Sequence, residues 1–143
     1  MIITPAQLPS YQGQVAMVDG GFDPLHIGHI EYFKGAAGLG VPVLCCVASD
    51  RYVSTKHNPL MPENYRAAVI NAIRYIDFVC INPSTTADVL KQLRPRYYVK
   101  GKDWENRLPA AETAICKEFA IKIVFLDTVL DSSSRLLQAY LNQ

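Results

Sequence analysis

Asp19-Gly20-Gly21-Phe22-Asp23-Pro24-Leu25-His26-Ile27-Gly28-His29 follows directly on a short apolar run at residues 15–18. Two glycines after a strand let the chain turn sharply and let its backbone approach a ligand closely. His26 and His29 stand three apart where a helix should begin, so they share one face. Ile27, Ile30, Phe33 and Ala37 set the helical spacing over about 26–39, and Gly38 and Gly40 are stop signals. A helix N-terminus presents unbonded N–H groups and partial positive charge, an anion site whose usual guest is phosphate. The imidazoles add donors aimed at the same place, and Gly28 leaves room for a ligand against the helix. Two other readings of the pair stay open. One is zinc ligation, although no suitably placed cysteine or third histidine completes a set. The other is helix-start histidines bonded to backbone.

Outward from this loop, apolar runs alternate with helical patterns. Residues 41–48 are continuously apolar, as in a strand covered on both faces. A polar stretch, 49–62, leads to a helix over about 63–75 with Ala67, Ile70, Ala72 and Ile73 inward. Strands are expected at 78–81, 97–99 and 121–126, with helices at 86–93, 110–119 and 132–141. Five β-α repeats predict an α/β protein, a single Rossmann-like doubly wound domain spanning 1–143. Its parallel sheet has five strands with helices on both faces. Ligands in such sheets bind at the carboxyl ends of the strands, near the switch in strand order. Residues 19–29, 50–66, 100–104 and 127–135 all follow strands.

Composition narrows the function classes. Of 143 residues, half are hydrophobic and 19% charged, which suits one globular core and not a disordered chain. Net charge is +1, so no strong positive balance points to nucleic acid. The longest apolar run falls far below the roughly 20 residues that cross a bilayer. The opening MIITPAQLPSYQGQ has neither a basic n-region nor an apolar h-region, so no signal peptide is expected and the expected address is the cytoplasm. Cys45, Cys46, Cys80 and Cys116 form no C-x-x-C pair and are expected as buried reduced thiols.

The string G-F-D-P-L-H-x-G-H after a strand resembles the H-x-G-H signature of the cytidylyltransferase-like nucleotidyltransferases. The resemblance runs over residues 15–137 and is strongest to two branches. These are glycerol-3-phosphate cytidylyltransferases and the adenylyltransferases that form ADP-heptose. Ile73-Arg74-Tyr75-Ile76-Asp77-Phe78-Val79 is similar to the stretch before their third strand. Arg96-Tyr97-Tyr98-Val99-Lys100-Gly101-Lys102-Asp103-Trp104 resembles their strand and KGxD motif. Ser132-Ser133-Ser134-Arg135-Leu136-Leu137 sits where they carry a serine- and threonine-rich helix start.

The resemblance implies direct attack by an acceptor phosphate oxygen on the α-phosphorus of ATP or CTP, with pyrophosphate leaving and no covalent enzyme intermediate. The protein then supplies position and charge stabilisation. Carried over residue by residue, His26 and His29 would donate to the nucleotide phosphates. Lys56 matches a mobile family lysine; its plainer reading is a solvated loop lysine. Arg66 matches the arginine of the next helix start; its plainer reading is a surface ion pair with Glu63. Gly20, Gly21, Phe22, Asp23 and Gly28 form the nucleotide loop, with Asp23 alternatively a turn-stabilising residue. Lys100 ends a strand at the ligand edge. Ser132, Ser133 and Ser134 form a second phosphate cradle or, more plainly, a helix cap. No protein metal site is expected, but magnesium should accompany the triphosphate. A homodimer is implied, and neither nucleic acid nor membrane as partner.

Three departures shape the substrate expectation. Asn64 stands where the family often has an acidic residue, and serines replace threonine in the last motif. The arginine that the glycerol-3-phosphate branch carries just before that motif is absent from 127–131. Lys100-Gly101 and 108–112 look more like the heptose branch. The leaning is to a sugar phosphate or polyol phosphate as acceptor, and to ATP over CTP. A nucleotide-binding module without catalysis is the competing reading.

Overall fold

The computed structural model describes residues 1–127 and 132–143. Five strands, β1 (Ala16–Gly20), β2 (Val43–Val47), β3 (Phe78–Ile81), β4 (Tyr97–Gly101) and β5 (Lys122–Leu126), form one sheet in the order β3-β2-β1-β4-β5. Every pairing is parallel. The chain runs outward from β1 to β2 and β3, then returns across β1 to begin β4. The switch in strand order therefore lies between β1 and β4, where the expected class of fold places its ligand crevice.

Helices α1 (Ile27–Ala37) and α3 (Glu63–Asn71) cover one face; α4 (Thr86–Leu93) and α5 (Ala110–Glu118) cover the other. The alternation of side chains along a strand divides the core accordingly. Val43, Cys45 and Val47 of β2 join Phe33, Ala36, Ala67 and Ile70 on the first face. Leu44 and Cys46 join Leu90, Leu93, Tyr98 and Cys116 on the second. Cys45 and Cys46 thus point to opposite faces, and all four thiols are buried and unbridged. β2 is buried along its whole length, which explains its unbroken apolar run.

Several elements depart from expectation. No element is expected before the first strand, yet a 3-10 turn forms over Pro5–Tyr11 and buries Leu8. Ile3 N–H donates to the Val79 carbonyl at 2.8 Å, laying this segment along the β3 edge. The polar stretch after β2 contains a one-turn helix, α2 (Asp50–Val53), capped by Ser49 accepting from Tyr52 N–H. α3 ends at Asn71, so Ala72 is exposed and only Ala67 and Ile70 of the expected inward set are fully buried. The last helix, α6 (Ser133–Leu141), starts with Ser132 accepting from Arg135 N–H at 3.1 Å. Among the described residues, no helix is long and apolar enough to cross a membrane.

Phe33 joins α1 to the sheet and is fully buried, with its ring 5.2 Å from that of Phe22 in the loop before the helix. Truncating a buried aromatic removes its transfer energy and leaves a cavity. Phe33→Ala should lower unfolding free energy by about 3–5 kcal/mol, read as an earlier urea midpoint at unchanged slope.

Candidate functional site at the strand-order switch

The β1–β4 ladder pairs only Ala16 with Tyr97 and Met17 with Tyr98, although both strands continue beyond. Above that point the Tyr32 hydroxyl stands between them. It donates to the Val99 carbonyl and accepts from Asp19 N–H at 3.3 Å. Tyr32 comes from α1, is buried, and is kept protonated far above the usual tyrosine range by desolvation and by the Asp19 charge. One side-chain hydroxyl thus replaces a direct strand-to-strand bond and satisfies both backbone groups while the strands part.

The two histidines flank the opening. His26 is the N-cap of α1, and its Nδ1 accepts from Gly28 N–H at 3.0 Å. His29 reaches back, its Nδ1 accepting from His26 N–H at 3.2 Å. This is a capping box built from imidazoles instead of serine and glutamate. The rings stack with centroids 3.7 Å apart. An Nδ1 that accepts a hydrogen bond carries no proton, so in each neutral ring the proton lies on Nε2. Burial, with a smaller electrostatic contribution from the neighbouring His26, pushes the His29 pKa down from 6.5 to about 3. His29 is therefore a neutral donor at physiological pH. The backbone-bonded reading of the pair is realised at Nδ1 of both rings, while both side chains also line a cavity. Among the described residues, no three His, Cys, Asp or Glu side chains are grouped to hold a metal ion.

Loop 20–25 is held by buried polar groups. The turn does not use its glycines as the sequence suggested: the positive φ falls on Phe22, at 54°. Gly20 is required for another reason. A Cβ there would lie 2.9 Å from the Phe22 ring, which packs edge-on to His29 with centroids 4.9 Å apart. Asp23 is 2% exposed, and its carboxylate accepts from Leu60 N–H at 2.8 Å and Met61 N–H at 3.2 Å, with His57 Nε2 at 3.1 Å. The structure thus places Asp23 as a staple between loops. Arg66, fully buried, donates to the carbonyls of Gly21, Ala48 and Met61 and to the Asp50 carboxylate at 2.7 Å. Its partner is Asp50 and not Glu63, and hydrogen bonding by the guanidinium holds the Asp50 carboxyl below its ordinary pKa. Every guanidinium nitrogen serves the loops after β1 and β2.

Two adjoining cavities open at the carboxyl edge of the sheet. The smaller, about 240 Å³, is lined by Phe22, His26, Gly28, His29, Gly101 and Ser132, among others. The larger, about 350 Å³, is lined by Ser49, Tyr52, Lys56, Asn82, Thr86 and Glu112, among others. Asp19, Gly20, Lys100 and Trp104 belong to both. Gly21 lines the larger cavity. Lys56 is exposed there, with Nζ 5.1 Å from the Tyr52 ring centroid. The serines divide: Ser132 lines the smaller cavity and caps α6, Ser133 donates to the Pro24 carbonyl at 2.8 Å, and Ser134 is exposed. Residues 128–131, within the 127–135 segment expected at this edge, lie outside the described residues.

Most expected site residues therefore converge on the cavities, while Asp23 and Arg66 sit behind them as supports. Sequence reasoning passed over Asp19, Tyr32, Tyr52 and the segment after β3. Residues 82–86 follow a strand as surely as the other loops, and that rule alone would have flagged Asn82 and Thr86. Tyr32 gave no signal, because a tyrosine inside an amphipathic helix reads as core.

The profile of the cytidylyltransferase-like family matches residues 17–136. The bifunctional protein HldE of Gluconobacter oxydans is 33% identical over 129 residues, covering 87% of this chain and 26% of that protein. The FAD synthase of Pyrococcus abyssi is 37% identical over 91 residues, 61% of this chain and 62% of the synthase. The chain thus spans about a quarter to a third of the length of the HldE proteins it matches. Among solved structures, the lipopolysaccharide core biosynthesis protein from Thermoplasma volcanium has a TM-score of 0.68 at 26% identity, covering 80% of this chain and 97% of that one.

The imidazole geometry fixes a pH response. Nitrogen shifts of His29 should remain those of the neutral Nε2–H tautomer as pH falls from about 8 to about 4, consistent with its lowered pKa. In the unfolded chain this imidazole takes up its proton near the ordinary 6.5, whereas the folded one resists until about 3. The group therefore disfavours the folded state progressively across that falling window. A His29 titration centred near 6.5 would contradict the assignment.

Proposed function

The chain belongs to the cytidylyltransferase-like family, and from that premise we propose that it moves a nucleoside monophosphate from ATP or CTP to a small phosphorylated acceptor. The observation that supports this most is the imidazole capping box. With Nδ1 of each ring accepting from a backbone N–H, the ring protons lie on Nε2, beside a helix N-terminus and in a cavity that Lys100 also lines.

In this reading the nucleotide's phosphates occupy the smaller cavity and the acceptor the larger. An acceptor phosphate oxygen bonds to the α-phosphorus while the bond from that phosphorus to the bridging oxygen breaks, and pyrophosphate leaves with the electron pair. His26 and His29 donate to phosphate oxygens as charge builds on them. His29, held neutral by burial, exchanges no proton and acts as a fixed dipole. Gly20 and Gly28 keep the loop and helix start low enough for the phosphates to approach. Lys56 and Lys100 offset acceptor and nucleotide charge, and Ser132 adds polar groups at the mouth of the smaller cavity. Gly21, Phe22, Asp23 and Arg66 hold the loop that presents the histidines. Ser133 ties α6 to the loop through Pro24, and Ser134 completes the helix start.

Magnesium belongs to the same reading, arriving on the triphosphate. Of the cavity carboxylates, Asp19 and Glu112 are engaged by Lys100 and Tyr98, and Asp103 lines the smaller cavity. Phosphate oxygens would therefore supply most of the ion's ligands, which suits its preference for few protein contacts. The ion would offset charge on the polyphosphate. A relative named for making FAD, which contains an adenylate, supports ATP over CTP. The resemblance to the heptose branch supports a sugar phosphate over a polyol phosphate. A homodimer and a cytoplasmic address are proposed with it, on family resemblance and composition.

The test is a pyrophosphate-release screen of four nucleoside triphosphates against sugar and polyol phosphates with magnesium. Release is expected for ATP or CTP with one acceptor. His29→Ala should slow turnover by about 10²- to 10³-fold, the scale for losing one donor to the transition state, with the fold retained. Binding of a nucleotide without release for any acceptor would identify a non-catalytic module instead.

A further inference from the structure

Asp19 has no role in the mechanism above beyond engaging Lys100, yet it lines both cavities at their shared wall. Its Oδ1 accepts from Lys100 Nζ at 2.9 Å. Both side chains are nearly buried, 14% and 10% exposed. Thr86 Oγ1 donates to Oδ2 at 3.3 Å, and Asp19 N–H donates to the Tyr32 hydroxyl. The residue is thereby fixed at its backbone by α1 and at its carboxylate by α4 and β4.

We propose that Asp19 is a positioning residue, holding the Lys100 ammonium at the one wall common to both cavities, where the acceptor oxygen meets the α-phosphorus. The proposal rests on the two-cavity reading of the site.

Among the described residues lining the cavities, Lys100 is the cation that both share. His26 and His29 face only the smaller cavity, and Lys56 only the larger. Two anionic groups must approach at that wall, so a cation there opposes their repulsion only if its place is fixed. A lysine stem is flexible, and its ammonium is a point charge that does not orient itself. Here three contacts limit it. Asp19 takes one N–H, and Nζ lies 4.4 Å from the Trp104 ring centroid and 5.7 Å from that of Tyr98. An ammonium has three donors, so capacity remains for phosphate oxygens.

A carboxylate near two phosphates would ordinarily hinder binding. At Asp19 the objection is met by pairing: its charge is already matched by Lys100 and bonded by Thr86. Removing it strands a nearly buried ammonium, the costlier change. The Tyr98 hydroxyl donates to Glu112 at 2.7 Å, against 3.5 Å to Asp19, so Lys100 and Thr86 are the partners that matter.

Steady-state pyrophosphate release by the full chain, with the nucleotide and acceptor found active, tests this. Asp19→Asn keeps the shape and the oxygen but not the charge. It should lose about 10- to 100-fold in kcat, the scale for misplacing a group by about an ångström, with KM for the nucleotide nearly unchanged. Asp19→Glu should recover part of that loss. Asp19→Asn combined with Lys100→Met should be no slower than Lys100→Met alone, because the carboxylate acts only through the lysine. Wild-type kcat in Asp19→Asn, losses that multiply in the double variant, or a rise in KM alone would each overturn the proposal. A wild-type chain that releases no pyrophosphate with any pair would remove the reading beneath it, and the proposal with it.

Discussion

Two hydrogen bonds decide what the crevice can do: Gly28 N–H to His26 Nδ1 and His26 N–H to His29 Nδ1. The orphan donors of a helix start need acceptors. Serine or aspartate would satisfy them with a short side chain and leave nothing further to offer. Imidazole satisfies them with one nitrogen and presents the other about a ring's width away, already carrying a proton. Helix capping and tautomer selection are therefore one event. Folding the first turn of α1 fixes which nitrogen accepts and which donates, and burial keeps His29 neutral. The spacing of three between the histidines is the spacing of a capping box. Gly28, buried between them, lets a ligand approach that turn.

The crevice itself comes from the sheet. The chain fills one side of β1 and then the other, so β1 and β4 are neighbours without a direct connection. Their ladder is short, and a tyrosine hydroxyl bridges the gap above it. Everything around the opening is anchored by buried polar groups. Arg66 gathers three carbonyls from the loops after β1 and β2, and Asp23 gathers two N–H groups from the second of these loops. Such groups are destabilising unless bonded, and here each is. The result is a rigid rim of backbone held by side chains that never reach the cavity.

The β-α alternation is legible because its two periods differ and its breaks are marked by glycine, proline and serine. Cys45 and Cys46 illustrate the gain: adjacency in a strand places them on opposite faces, and the core divides that way. The histidine loop is legible for a similar reason, since phosphate sites at helix starts have a compact local pattern. What stays hidden depends on tertiary contact. Arg66 carries a sequence match to a family arginine at a helix start, yet which atoms its guanidinium meets depends on loops 18 and 45 residues away. The positive φ at Phe22 is hidden because two glycines beside it are the cheaper hosts, whereas its ring is buried against His29 and Phe33. Asp19 reads as a strand terminator until Lys100, 81 residues on, is folded against it.

The central claim is that the paired Nε2–H groups meet a polyphosphate. A crystal structure of this chain with a non-hydrolysable ATP or CTP analogue addresses it directly. The account predicts phosphate oxygens within hydrogen-bond distance of both imidazoles, with the Nδ1 bonds to backbone intact. A nucleotide seated elsewhere, or rings that abandon the backbone and turn from the phosphates, would contradict it.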